Sequence, residues 1–126
     1  MKQVIISIIC IALLVIGGVA EIKYLNKSAS YLSSDIEYVK NAIINNNYEL
    51  AKEQLNNTKN NWKEQKKIWH IFVNNEEIEE IDVSIIELEE YINNHMKEES
   101  IVEVSKLISL IKYSANMQRL SIETVI

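Results

Sequence analysis

Apolar residues recur along this chain at alternating spacings of three and four, the pattern of an amphipathic helix. Four such stripes are present, over residues 22–43, 48–72, 78–92 and 101–115. Asparagine-rich segments at residues 45–47 and 93–94 separate the first stripe from the second and the third from the fourth. Because short turns make successive helices antiparallel neighbours, we predict an all-α chain whose helices pack as two αα-hairpins in one bundle.

The same pattern divides the chain after its N-terminal segment into two parts. Residues 22–45 form a helical stalk or first bundle helix, and residues 46–126 form the rest of the bundle. Asn46 and Glu49 have the spacing of a capping box at the start of the second helix. A short apolar tail closes the bundle, made of Leu120, Ile122 and Ile126.

An uncharged apolar segment of seventeen residues precedes the first stripe, at residues 4–20. As an α-helix it spans about 26 Å, and continuing it through Leu25 gives about 33 Å. That length is enough to cross the hydrocarbon core of a bilayer, which is about 30 Å thick. We therefore predict that residues 1–25 form a transmembrane signal-anchor that continues into the stalk.

Cleavage of this segment after Ala20 is the alternative, since Gly18 and Ala20 are the small residues that signal peptidase requires. We favour retention because the apolar run exceeds the usual core of a signal peptide and its helical pattern continues. Lys2 favours a cytoplasmic N-terminus, whereas Lys23 and Lys27 oppose it. We expect a single-pass protein of the cell membrane with a cytoplasmic N-terminus and an extracytoplasmic C-terminal domain.

Charge and composition exclude several classes of function. The chain has 13 Lys and Arg against 18 Asp and Glu, whereas a nucleic-acid binder requires a basic face. Proline is absent, and the two glycines, Gly17 and Gly18, leave no glycine for a phosphate loop or a catalytic elbow. Cys10, His70 and His95 lack the spacing of zinc ligands. We expect no catalytic activity, no metal, no cofactor and no nucleic-acid partner.

Large aromatic residues mark one face of the second predicted helix. Trp62, Trp69 and Phe72 fall at i, i+7 and i+10. Aromatic residues at helical spacing are first of all core residues, and a binding hot spot is the second interpretation.

Acidic residues are concentrated in the third predicted helix, where eight carboxylates and no base occur between residues 76 and 90. The segment opens with Glu76, Glu77, Glu79 and Glu80. A solvated helix face is the first interpretation, and a basic partner or the lysines of the preceding helix are the alternatives. A calcium loop is excluded, because the alternating oxygens and the required glycine are missing.

The membrane-proximal end of the first stripe is the predicted contact with a partner. A bundle built from residues 48–118 does not obviously cover this end, and soluble domains seldom leave an apolar seam exposed. We therefore expect a partner helix to pack on Leu25, Ala29 and Leu32.

The segment 62–78, with its paired tryptophans, its phenylalanine and its acidic pair, resembles the domain-of-unknown-function family 4363. Residues 81–92 and 120–122 are similar to that family as well. The resemblance covers nearly the whole chain and implies a short bacterial protein with an N-terminal membrane segment and a helical remainder. It also implies a gene that often neighbours genes for multi-pass membrane proteins. Family members often carry a histidine where this chain has Asn75, and the resemblance implies no reaction.

We interpret the chain as a membrane-anchored helical interaction module, accessory to a multi-pass integral membrane protein. A homo-oligomeric coiled-coil scaffold is the alternative of the same class. An exported hydrolase or metal-dependent enzyme is the alternative of another class, disfavoured by the missing glycines and ligand clusters. The expected partners are the lipid bilayer and either an integral membrane protein or a second copy.

Overall fold

In the computed structural model, the described residues 1–125 form four helices. They are α1 (Lys2–Ile44), α2 (Tyr48–Phe72), α3 (Asn75–Asn93) and α4 (Lys97–Val125). The structure describes the backbone of residues 1–125 and the side chains of residues 1–17 and 23–116. Helix α1 packs on α2 and α4, and α3 packs on the same two helices, so the four follow one another around a ring in chain order. The prediction of an all-α helical bundle is confirmed.

Helix α1 is continuous over 43 residues, so no break separates the predicted anchor from the predicted stalk. The predicted transmembrane helix is not supported, because none of the described residues form a helix that is long and apolar enough to cross a membrane. The uncharged stretch with described side chains, residues 4–17, is about 21 Å long as a helix, against a hydrocarbon core of about 30 Å.

Two turns of the same design join α1 to α2 and α3 to α4. The second residue of each has a positive φ, 59° at Asn46 and 54° at His95. In each turn the next residue donates its backbone N–H to the carbonyl five residues back, at 2.8 and 2.9 Å. This is the Schellman motif, which usually places glycine at the left-handed position. Asparagine is the first substitute for glycine there, because its short polar side chain tolerates the left-handed region.

The predicted capping box at Asn46 is wrong by one residue. Asn46 serves the end of α1 in the left-handed position, so Asn47 becomes the N-cap of α2. The Asn47 side chain accepts a hydrogen bond from the Leu50 N–H at 3.2 Å. Asn74 caps α3 in a similar way, accepting from the Glu76 N–H at 3.1 Å.

The core is built from the apolar stripes that the sequence predicts. Its fully buried members include Leu25, Leu32, Ile36, Ile43, Leu55, Trp69, Ile78, Ile81, Leu88, Ile92, Leu107 and Ile111. The expectation that the membrane-proximal end of the α1 seam is left uncovered is wrong. With 25 and 29 residues, α2 and α4 are about 37 and 43 Å long, enough to cover the seam. The predicted apolar tail at Leu120, Ile122 and Ile126 lies outside the described side chains.

Candidate interaction surfaces

The N-terminal part of α1 is an apolar helix that projects from the bundle, and we call residues 4–17 the apolar arm. Its large side chains are 47–75% exposed. They are Val4, Ile5, Ile6, Ile8, Ile9, Ile11, Leu13, Leu14, Val15 and Ile16. Consecutive residues are exposed, so the arm is apolar on every side and has no polar face. A helix of this kind is stable where protein or lipid surrounds it.

The three residues predicted to contact a partner lie instead inside the bundle. Leu25 is 0% exposed, Ala29 5% and Leu32 1%. Their surroundings are supplied by α2 and α4 of the same chain, which leaves no room for a partner helix on these side chains. The prediction of a contact site at Leu25, Ala29 and Leu32 is therefore wrong.

The aromatic residues of α2 occupy the core. Trp69 is fully buried and Trp62 nearly so, and their rings meet edge to face with centroids 5.2 Å apart. Phe72 is half-buried and packs against the same core. Edge-to-face packing is a favoured geometry for aromatic pairs. The interpretation of these residues as core rather than as an exposed hot spot fits their burial.

Each indole N–H has a polar partner on a neighbouring helix. Trp69 Nε1 donates to Ser28 Oγ of α1 at 2.8 Å, and the Ser28 hydroxyl donates in turn to Gln65. Trp62 Nε1 donates to Asp82 Oδ1 of α3 at 2.7 Å. Because an unpartnered indole N–H would be costly in a core, these bonds fix how α2 sits against both neighbours.

Most carboxylates in the middle and end of α3 are neutralised within the chain. Lys66 contacts Asp82 at 2.7 Å, Lys59 contacts Glu89 at 2.6 Å, and Lys106 of α4 approaches Glu87 at 3.6 Å. The predicted alternative of internal pairing with the lysines of α2 is thus confirmed for Asp82 and Glu89.

The acidic residues at the start of α3 line a groove instead of following the pairing described for Asp82 and Glu89. Glu76, Glu79 and Glu80 are exposed and line a groove of about 590 Å³ between α3 and α4, together with Val83, Lys106 and Leu110. Glu77 is half-buried in the first helical turn, where the helix dipole favours an acid. Val83 is 51% exposed, so the groove offers an apolar surface beside three carboxylates. We call it the acidic groove.

A buried carboxyl group that the sequence analysis missed lies beside this groove, close to Lys106. Glu103 of α4 is 5% exposed, and its Oε1 accepts a hydrogen bond from Ser84 Oγ at 3.0 Å. Burial raises the pKa of Glu103 above its usual range, and a hydrogen bond with Glu87 raises it further. Ser84 and Lys106 act in the opposite direction. The apolar pattern of α4 gives no signal for this residue.

The other titratable candidates are not brought together. His70 is exposed on α2, and His95 stacks on Tyr48 with ring centroids 4.3 Å apart at the far end of the bundle. Cys10 is exposed on the apolar arm. Within the described part of the chain, no three histidine, cysteine or acidic side chains form a metal-binding group.

Comparison with known protein families shows which family this bundle belongs to. The model of the family described as domain of unknown function, DUF4363, matches residues 19–125. The chain belongs to this family. No curated protein and no solved structure matches it.

The part of the chain shared with DUF4363 includes the bundle and excludes the apolar arm, because the match begins at residue 19. The family resemblance seen in the sequence is confirmed over residues 19–125, whereas the N-terminal membrane segment that it implied is not confirmed. The paired tryptophans and the acidic groove both lie in the DUF4363 region, which is a helical domain of unknown function.

Proposed function

We propose that this DUF4363 protein is a membrane-attached helical interaction module, accessory to an integral membrane protein. The apolar arm inserts into the bilayer, and we place the bundle on its extracytoplasmic side. The observation that carries the proposal is the arm itself, whose ten large apolar side chains are 47–75% exposed around a single helix.

Water is an unfavourable environment for this arm. Covering the exposed part of one leucine or isoleucine is worth about 1 kcal/mol, so the ten side chains together represent on the order of 10 kcal/mol. The bundle buries its own seams and offers the arm no surface. Lipid supplies the missing apolar environment, and in the sequence the uncharged stretch continues from the arm to Ala20.

The acidic groove is the surface that we assign to the integral membrane partner. It opens at the same end of the bundle as the arm, because α3 begins just after Phe72 and Trp69 bonds to Ser28 near the start of the bundle part of α1. A partner with a basic, partly apolar segment close to the bilayer would match both its charge and its apolar surface.

An enzymatic function is the disfavoured alternative. The acidic groove contains three exposed carboxylates, one lysine and two apolar side chains, and none of these is an activated nucleophile. The ammonium group of Lys106 lies close to Glu87 and Glu103, at 3.6 and 3.7 Å.

Alkaline carbonate extraction of native membranes tests the attachment. We expect the wild-type chain to remain in the pellet and to retain its N-terminal segment. Leu13→Arg should shift the chain towards the supernatant, since a central arginine costs roughly 2.5–3.5 kcal/mol on insertion scales. Val102→Arg is the matched control, because Val102 is 68% exposed on the bundle rather than on the arm. A wild-type chain in the supernatant, or a mature N-terminus at Glu21, would contradict the proposal.

A further inference from the structure

A polar stripe runs along α1 on the side that faces α4. Its residues have the helical spacing of three and four, and they are Asn26, Ser30, Ser33, Ser34 and Glu37. With Lys112 and Asn116 of α4 they line an open cleft of about 410 Å³, which we call the polar cleft. This volume lies within the usual range of small-molecule sites, about 300–1,000 Å³.

Small side chains keep the polar cleft open between the two helices. Ala29 of α1 and Ala115 of α4 line it and are buried, with exposures of 5% and 3%. Helices in a bundle normally fill such a contact with larger apolar residues, as α1 does with the buried Leu25 and Leu32. The polar cleft is therefore a gap in the packing that is surrounded by polar groups.

Ser33 carries a buried hydroxyl group without a partner. Its side chain is 6% exposed, and its Oγ has no hydrogen-bond partner in the part of the chain that the structure describes. Buried polar groups are nearly always hydrogen-bonded, because an unpaired one costs free energy. Since Ser33 lines the polar cleft, a molecule bound there can supply the missing hydrogen bond.

The two walls of the polar cleft carry opposite charges. Glu37 is exposed on α1 and Lys112 is exposed on α4, and both line the cleft. Within the described residues, neither forms a salt bridge with the other or with a third group. A ligand that carries an ammonium group and an anionic group would complement both walls.

We propose that the polar cleft binds a small free zwitterion of the α-amino-acid type. The ammonium group of the ligand faces Glu37, its carboxylate faces Lys112, and Ser33 hydrogen-bonds to it from the inner side of the cleft. The remaining hydroxyl and amide groups favour a ligand with a polar side chain, because an apolar one would leave them unpaired.

A zwitterionic lipid head group carries the same two charges, but the polar cleft lies too far along α1 to receive it. The uncharged stretch ends at Ala20, and the cleft extends from Asn26 to Glu37. These two positions are about 9 and 26 Å beyond Ala20 along the helix, whereas a head-group layer is about 5–8 Å thick. The cleft is therefore in water whether or not the arm is inserted, which favours a free solute.

Thermal unfolding and calorimetry of the full chain in a maltoside detergent test the proposal, with the standard amino acids added one at a time. At least one polar amino acid should raise the unfolding temperature by a few degrees, because a ligand that binds only the folded state stabilises it. Its analogues without the carboxylate or without the amino group should bind at least about tenfold more weakly. The proposal is overturned if no amino acid binds, or if an analogue with one charge binds equally well.

Variants of the polar cleft locate the binding. Lys112→Met and Glu37→Gln should each weaken it about tenfold, since each removes one charged contact. Lys63→Met and Glu53→Gln are the matched controls, because both residues are exposed on α2. Ser33→Ala should raise the unfolding temperature of the ligand-free chain and still weaken binding, because it removes an unpaired hydroxyl that the ligand uses. Unchanged affinity in all three cleft variants would place the amino acid elsewhere and overturn the proposal.

Lipid nanodiscs separate a free solute from a lipid head group. The affinity for the amino acid should be the same in discs of phosphatidylethanolamine and of phosphatidylglycerol, which has no ammonium group. Weaker binding in phosphatidylethanolamine alone would mean that its head group competes for the polar cleft, and the assignment to a free solute is then wrong. A chain that does not enter the discs contradicts the proposed membrane attachment, whereas the measurements in detergent still decide the amino-acid site.

Discussion

At the scale of single residues, polar groups inside the core and at its edge determine how the helices meet. Ser28, Asp82 and Ser84 each bind a group on a neighbouring helix, at 2.8, 2.7 and 3.0 Å. A hydrogen bond inside a core contributes little net stability, but an unsatisfied partner costs about 1–3 kcal/mol. These residues therefore select one rotation of each helix over others that would bury the same apolar stripe.

Glu103 is the residue whose charge opposes the fold, and this leads to a pH-dependent prediction. Its raised pKa means that the native state binds its proton more tightly than the unfolded chain does. The contribution of Glu103 to the free energy of unfolding is fully present at pH values below its unfolded pKa of about 4.3. It is lost as the pH rises through its folded pKa. Glu103→Gln should therefore melt at a higher temperature than the wild type at pH 7.

The advantage of Glu103→Gln should shrink as the pH falls towards 4, because wild-type Glu103 is then protonated and resembles glutamine. Thermal unfolding of the detergent-solubilised chain between pH 4 and pH 7, followed by circular dichroism, measures this. Glu99→Gln is the control, since Glu99 is exposed on the same helix and should show no such trend. A variant that is less stable by the same amount at every pH would refute the argument.

At the scale of helices and turns, the two hairpins repeat one design. The buried residues Leu32, Ile36 and Ile43 of α1 have buried counterparts 49 residues later, Ile81, Ile85 and Ile92 of α3. The turns at residues 45–47 and 94–96 have the same separation and the same backbone bonds. Most other residues at this separation differ. The two hairpins are therefore similar in the spacing between their buried positions and their turns, and not in residue identity.

The left-handed turn residue gives the prediction at this scale. Asn46 has a φ of 59°, where alanine is strained and glycine is not. Asn46→Ala should lower the free energy of unfolding by about 1 kcal/mol, whereas Asn46→Gly should leave it nearly unchanged. Asn45→Ala is the control, because the φ of Asn45 is −83°. Chemical denaturation of the three variants measures the difference, and equal losses at Asn45 and Asn46 would show that the turn is not strained.

The helices were predictable from the sequence because their spacing of three and four is imposed by the helix itself. The burial of Leu25 could not be predicted in the same way, because it depends on how far α2 and α4 extend along α1 in the packed bundle. The N-cap of α2 is Asn47 rather than the predicted Asn46, because the preceding turn uses Asn46 in the left-handed position where glycine is usual. Glu103 was missed because a polar residue beside an apolar stripe looks like ordinary surface.

At the scale of the whole molecule, two surfaces with different environments lie at the same end of the bundle. The apolar arm at the start of α1 requires an apolar environment, and the acidic groove lies across the ring of helices between α3 and α4. A partner in the groove therefore does not compete with lipid around the arm.

The acidic groove gives the last prediction, which concerns that partner. Replacing Glu76, Glu79 and Glu80 by lysine reverses three exposed charges around Val83 and leaves the buried seam of α3 untouched. A basic segment bound there is then repelled, so affinity capture from detergent-solubilised membranes should recover much less of the protein that co-purifies with the wild type. Recovery with the wild type should also fall as salt rises, because exposed charges are screened.

A matched variant separates the groove from the overall acidity of the chain. Glu98 and Glu99 are exposed in the first turn of α4, at the opposite end of the bundle from the start of α3. Replacing both by lysine changes the net charge by four, against six for the groove variant, so non-specific attraction of a basic protein would weaken in both. If only the groove variant loses the co-purifying protein, that protein binds specifically in the acidic groove between α3 and α4. Equal loss in both variants, or none in either, means that the partner binds elsewhere, and the groove then has no part in recognition.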